Sequence, residues 1–332
     1  MLRATYLFLI GVILTMATLA FGQETSVENA LRVSRKTGKP IFAIASRKVC
    51  GPCQLLKSRV ANVFKNKTVA DQVVYLKVDL DDESWNTWSR KFPHQGRMLP
   101  IVYLIRADER QMYGQSNTLP GDQLQKFIDQ GVAHCGQSLD DSEIQQLEKA
   151  NQSIEAAIDA NEMEVAVEWV KSISNLGSPG QLNCFAAAAI RNNELSVKVA
   201  EKSTEYVQQK LVDIEQNLAG NANEKFQAVY RFVAMEKTFG KFENLADHFS
   251  KVAVKLAVNK ELRQLWSLSR SVHDANETLS SKQSHKAKSQ ALASLTEIEN
   301  SDAPQIAKLA AAEVKRRNEA VVASVIKQSQ AK

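Results

Sequence analysis

Between Ser26 and Gln130, short apolar runs rich in β-branched residues alternate with stretches whose apolar positions recur every three or four residues. The first pattern suits strands and the second suits helices, so their alternation predicts an α/β domain. Ser26 to Thr37 reads as a helix with Val27, Ala30, Leu31 and Ser34 on one face, stopped by Gly38, Lys39 and Pro40. Ile41 to Ala45 reads as a buried strand, Leu55 to Phe64 as a helix that opens at a cysteine pair, and Val73 to Val78 as a second strong strand. Glu83 to Phe92 is expected to be helical and Pro93 to Gly96 to be a loop. Ile101 to Ile105 is the third strand, a turn at Ala107 to Arg110 leads to a fourth ending near Gly114, and Gly121 to Gln130 is a closing helix.

After about Leu139 the β-branched runs vanish and long alanine-, glutamate- and lysine-rich stretches with helical spacing take over. Asp141 and Ser142 look like a helix cap, and breaks are expected at Gly177-Ser178-Pro179-Gly180, Gly220, Gly240 and Ser301-Asp302-Ala303-Pro304. This predicts roughly seven to nine helices in a bundle or an irregular helical-hairpin array, without a fixed repeat.

The first residues form a separate unit of meaning. Arg3 supplies a short positive start, Tyr6 to Ala20 is almost wholly apolar, and Ala20-Phe21-Gly22 offers the small residues a signal peptidase needs. The expected division is therefore a signal peptide at 1–22, an α/β domain at 23–136 and a helical domain at 137–332. The apolar run is short for a bilayer span and no later segment approaches that length, so cleavage would leave no transmembrane span; an uncleaved anchor is the alternative.

With 332 residues, 44% of them hydrophobic and 24% charged, the chain has the size and composition of two globular domains. The formal charge of +5 is spread without a basic block, which gives no reason to expect a nucleic-acid partner. Export changes the reading of the four cysteines, because an oxidising compartment lets a close pair persist as a disulfide.

The chemistry concentrates at Val49-Cys50-Gly51-Pro52-Cys53, just past a strand and at the start of a helix. The unsatisfied amides of a helix start stabilise an anion, so the Cys50 thiol is expected to ionise below the free value of about 8.5. Arg47 and Lys48 stand immediately upstream and would add to that field. Cys50 is thus the candidate nucleophile, Cys53 the resolving thiol, and Pro52 with Gly51 the spacer that holds the pair in geometry. A structural bridge and half of a metal site are the plainer readings. Cys135 and Cys184 lack spacing that matches a zinc site, and no metal role is assigned to His94 or His134.

With these residues in place, 26–130 resembles the thioredoxin family. The matching pieces are Lys39-Pro40, Cys50-Gly51-Pro52-Cys53, Lys77-Val78-Asp79, Leu99-Pro100 before the third strand, and Gly121 to Asp129. The run Val63-Phe64-Lys65-Asn66 through Val69-Ala70 to Val78-Asp79 is most similar to exported thioredoxin-like proteins fused to other domains. The resemblance implies a thioredoxin-like α/β domain, ahead of the all-α domain read from the helical spacing, and no bound cofactor. It also implies a cis Pro100 beside the dithiol, with the Leu99 backbone edge open to an extended substrate segment; a strand-initiating proline is the plainer alternative. Two positions depart from the family pattern. Val49 stands where a tryptophan usually precedes the first cysteine, and Ile44 falls where a buried acid would accept the proton of the second. Lys77, the neighbour of that acid in the family, is then expected to face solvent.

Cys135 and Cys184 are either a second disulfide or two buried thiols. Trp85 and Trp88, three apart, share one helix face and are expected to pack in a core rather than form a binding patch. Phe226, Tyr230 and Val233 read as helix core, and Ser280 to Gln290 as a solvated face or loop. Two functions follow. One is an exported thiol–disulfide oxidoreductase acting on protein thiols and disulfides, supplied by an electron partner such as a membrane thiol relay. The other is a redox-silent platform whose helical domain binds partner proteins, which Val49 and Ile44 favour.

Overall fold

The computed structural model describes residues 23–24, 26–173 and 182–330. The signal peptide expected at 1–22 and the break expected at Gly177 to Gly180 lie outside the described residues.

Strands β1 (Gln23–Glu24), β2 (Ile41–Ser46), β3 (Val74–Asp79), β4 (Ile101–Ile105) and β5 (Gln111–Ser116) form one five-stranded sheet in the order β1-β3-β2-β4-β5. β3 runs parallel to β1 and β2, while β4 is antiparallel to both β2 and β5. Every residue of the central β2 is buried, which is why its text is an unbroken run rather than an alternation.

Five helices flank the sheet: α1 (Val27–Thr37), α2 (Gly51–Val63), α3 (Lys67–Ala70), α4 (Glu83–Lys91) and α5 (Gly121–Ala133). Successive strand residues point to opposite faces, so β2 feeds two cores. Ile41, Ala43 and Ala45 pack with Ala30 of α1 and with Trp88 and Phe92. Phe42 and Ile44 pack with Leu56 and Val60 of α2, Val69 of α3, and Leu124 and Ile128 of α5. Trp88 is fully buried, its ring 4.5 Å from Phe92 and 5.5 Å from Tyr103, with Trp85 partly buried against the same core. The tryptophan pair is thus packing, as its spacing implies.

Local signals set the helix ends. Ser26 caps α1 by accepting from the Asn29 amide, and Gly38 ends it in the left-handed region at φ 78°. β1 and the single-turn α3 are too short to carry a period in the sequence, and β5 runs to Ser116, two residues beyond the Gly114 end that the pattern implies.

Nine helices follow among the described residues: α6 (Asp141–Asp159), α7 (Met163–Ser172), α8 (Ala187–Asn217), α9 (Ala222–Phe239), α10 (Ala246–Val258), α11 (Lys260–Ser280), α12 (His285–Asn300), α13 (Gln305–Arg317) and α14 (Glu319–Gln330). The cap of α6 is Asp140 rather than Asp141: its carboxylate accepts from the Glu143 amide while the Glu143 carboxylate accepts from its own. Gly220, Gly240 and residues 301–304 fall between helices as expected. No described helix is long and apolar enough to cross a membrane.

The chain forms two compact units, which do not coincide with a cut after residue 136. Among the described residues, one takes the chain up to Lys149 and again from Leu182 to Asn192; the other takes Ala150 to Ile173 and Asn193 to Gln330. In the first, the amide of Gln137 donates to the Asn183 carbonyl at 2.7 Å and the Arg106 guanidinium stacks 3.7 Å above the Phe185 ring. Gly136, at φ 77°, leaves room that a Cβ would fill 2.7 Å from the Asn183 oxygen. In the second, Phe226, Phe232, Phe239, Leu256, Val272 and Leu295 share one apolar core, Tyr230 packs against it, and Val233 is buried.

Candidate active site

Residues 47–50 link the end of β2 to the start of α2. Cys50 is the N-cap of α2, with extended backbone at φ −151° and ψ 103°, and Gly51 and Pro52 occupy the first helical positions. Proline there gives up an amide the helix would leave unpaired anyway. The Cys53 amide donates to Cys50 Sγ at 3.3 Å, so the sulfur occupies the place of a capping oxygen. Cys50 and Cys53 are joined as a disulfide, S–S 2.01 Å and Cα–Cα 5.2 Å. Their exposures differ: Cys50 is partly exposed and Cys53 is fully buried beneath the first turn. An incoming sulfur therefore reaches Cys50 first.

The pairing of Ala45 with Ile101 puts the next residues outward, Ser46 and Pro100, at the same end of the sheet as the Cys50 loop. The Leu99–Pro100 peptide is cis, Pro100 is buried and Leu99 partly exposed. Pro100 uses its carbonyl to accept from the Asn117 amide, and nothing among the described residues hydrogen-bonds the Leu99 backbone. Two exposed apolar side chains flank this end: Val49 is 97% and Met98 77% accessible.

Arg47 stands 3.4 Å from the Asp81 carboxylate, which offsets its charge, and Lys48 uses its carbonyl to accept from the Gln54 side chain. Ile44 is fully buried and in register with Lys77 of β3, which is exposed. Ile44 thus adds hydrocarbon to the core between β2 and α2, at the position where the family pattern has an acid. Sequence reasoning missed the role of Asp81 as partner of Arg47, because a contact across a loop leaves no pattern in the text.

A family model described as thioredoxin-like matches residues 23–107. Residues 23–107 therefore form a thioredoxin-like domain. Among solved structures the chain is similar to the germline-specific thioredoxin Deadhead of Drosophila melanogaster, 17% identical, with 33% of this chain and 97% of that one covered at a TM-score of 0.27. No curated protein matches. With its bonded Cys50–Cys53 pair, the thioredoxin-like domain is of the redox type, and a largely helical region follows it.

The other two cysteines are free thiols within the first unit, both buried. Burial pushes the Cys135 thiol up to about 11, with Arg106 opposing and Asp108 adding to the rise. Burial also raises the Cys184 thiol. Neither shows the environment of a nucleophile. No cluster of three metal-ligating side chains occurs among the described residues.

Proposed function

We propose that the protein is an exported thiol–disulfide oxidoreductase acting on protein disulfides through Cys50 and Cys53. The observation that carries this reading is the asymmetry of the pair, a partly exposed Cys50 capping a helix over a buried Cys53. In the reducing direction the Cys50 thiolate attacks one sulfur of a substrate disulfide, that bond breaks, and the departing sulfur leaves as a thiolate that takes up a proton. Cys53, once deprotonated, attacks Cys50 Sγ and releases the second substrate thiol. Two electrons pass to the substrate and the Cys50–Cys53 bond remains, to be reduced by a thiol donor such as a membrane relay. The oxidising direction is the reverse. The unpaired Leu99 backbone beside buried Pro100 supports strand-like docking of an extended substrate segment. The leader at 1–22, with its small residues before Gln23, supports export.

A second reading, a redox-silent platform for partners of the helical region, draws on Ile44 and the exposed Val49. Insulin-disulfide reduction by the full mature chain, beside Cys50→Ser, separates the two. A rate lost in the variant supports the enzyme; equal background rates leave only the platform. Covalent capture of a substrate on Cys53→Ser identifies what is acted upon.

A further inference from the structure

A cleft of about 440 Å³ opens on the sheet face covered by α2, away from the sulfurs. Its walls follow from two periodicities. Lys57, Ala61 and Phe64 recur along one stripe of the α2 segment, and Tyr75 and Lys77 are alternate residues on one face of β3. Phe64 and Tyr75 meet edge to face at 5.3 Å and, with Val60 and Val73, make an apolar floor. At the rim stand Lys57, Lys65 and Lys77 against a single acid, Asp71. The Tyr75 hydroxyl is buried with no hydrogen-bond partner among the described residues. Burial, and after it the charge of Lys57, hold the Lys77 ammonium below the usual lysine range. Two cations are thus drawn together at the mouth of an apolar slot.

We propose that this cleft binds a small amphipathic anion, a carboxylate on an apolar body, with the head at Lys57 and Lys77 and the body against Phe64 and Tyr75. Its size suits a small molecule. An anionic head lowers the repulsion between the two ammonium groups, and an apolar body covers rings that are otherwise half exposed. A cation is repelled by the rim, and a polyanion would meet Asp71 and an apolar floor with few donors. The inference does not depend on the dithiol chemistry, since no wall of the cleft includes Cys50 or Cys53.

The test is calorimetric titration of the full mature chain with octanoate, octanol and octylammonium. Octanoate is expected to bind one to one, octanol at least tenfold more weakly and octylammonium not at all. Lys57→Gln with Lys77→Gln should weaken octanoate at least tenfold. Ala61→Trp, at an exposed helix position, should fill the slot and abolish binding while the circular-dichroism melt stays cooperative. Silence with octanoate, equal affinity for octanol, or wild-type affinity in either variant overturns the proposal.

Discussion

The amide of Cys53 donates to the sulfur of Cys50 across one helical turn, at 3.3 Å. Once the bond is reduced, that donor and the other free amides of the α2 start would stabilise a Cys50 thiolate over the thiol, because a hydrogen bond to a charged acceptor is the stronger kind. Reduced Cys50 should therefore alkylate with iodoacetamide along a titration whose midpoint lies below about 8.5, the value for free cysteine. The sign follows for stability: a depressed thiol pKa stabilises the reduced fold above the unfolded value, and this is lost as pH falls through the folded one. A midpoint at or above that of free cysteine would remove the anion on which the reaction depends.

Cys135 titrates the other way. Its thiol is raised from 9.0 to about 11, so the neutral form is favoured in the fold. The stability tied to it is fully present below 9.0 and is lost as pH rises towards 11. The denaturation difference between wild type and Cys135→Ala should narrow across that interval, and Cys135 should resist a thiol reagent at pH 8 until the chain is unfolded. Fast labelling of the native protein at Cys135 would contradict the burial described above.

Trp88→Ala should cost about 3–5 kcal/mol, the range for deleting a fully buried aromatic side chain. The partly buried Trp85 should cost clearly less on the same substitution. Urea denaturation of both variants checks the order, and equal losses would show that the two rings share the core evenly.

Ile44→Asp puts a carboxyl into the apolar core between β2 and α2, the helix that carries Cys53. Losing the buried side chain and burying a polar group together should cost about 3 kcal/mol or more. Per folded molecule, however, insulin reduction should become faster, because Cys53 gains a nearby proton acceptor for the resolving step. A stable variant with unchanged turnover would mean that proton removal from Cys53 does not limit the rate.

By itself the sequence determined the alternation of strands and helices, the dithiol at a helix start and the change to an all-helical text after about Leu139. Each of these is written in neighbouring residues: a capping serine before α1, an unbroken apolar β2, a proline in the first turn of α2. Tertiary structure alone decided that Arg47 turns to Asp81 and that residues 182–192 rejoin the first unit. It also decided that Lys57 and Lys77 share one cleft. The physical reason is that propensity, capping and periodicity act over a few residues and mark the text, whereas contacts between distant residues are set by packing and leave no local pattern.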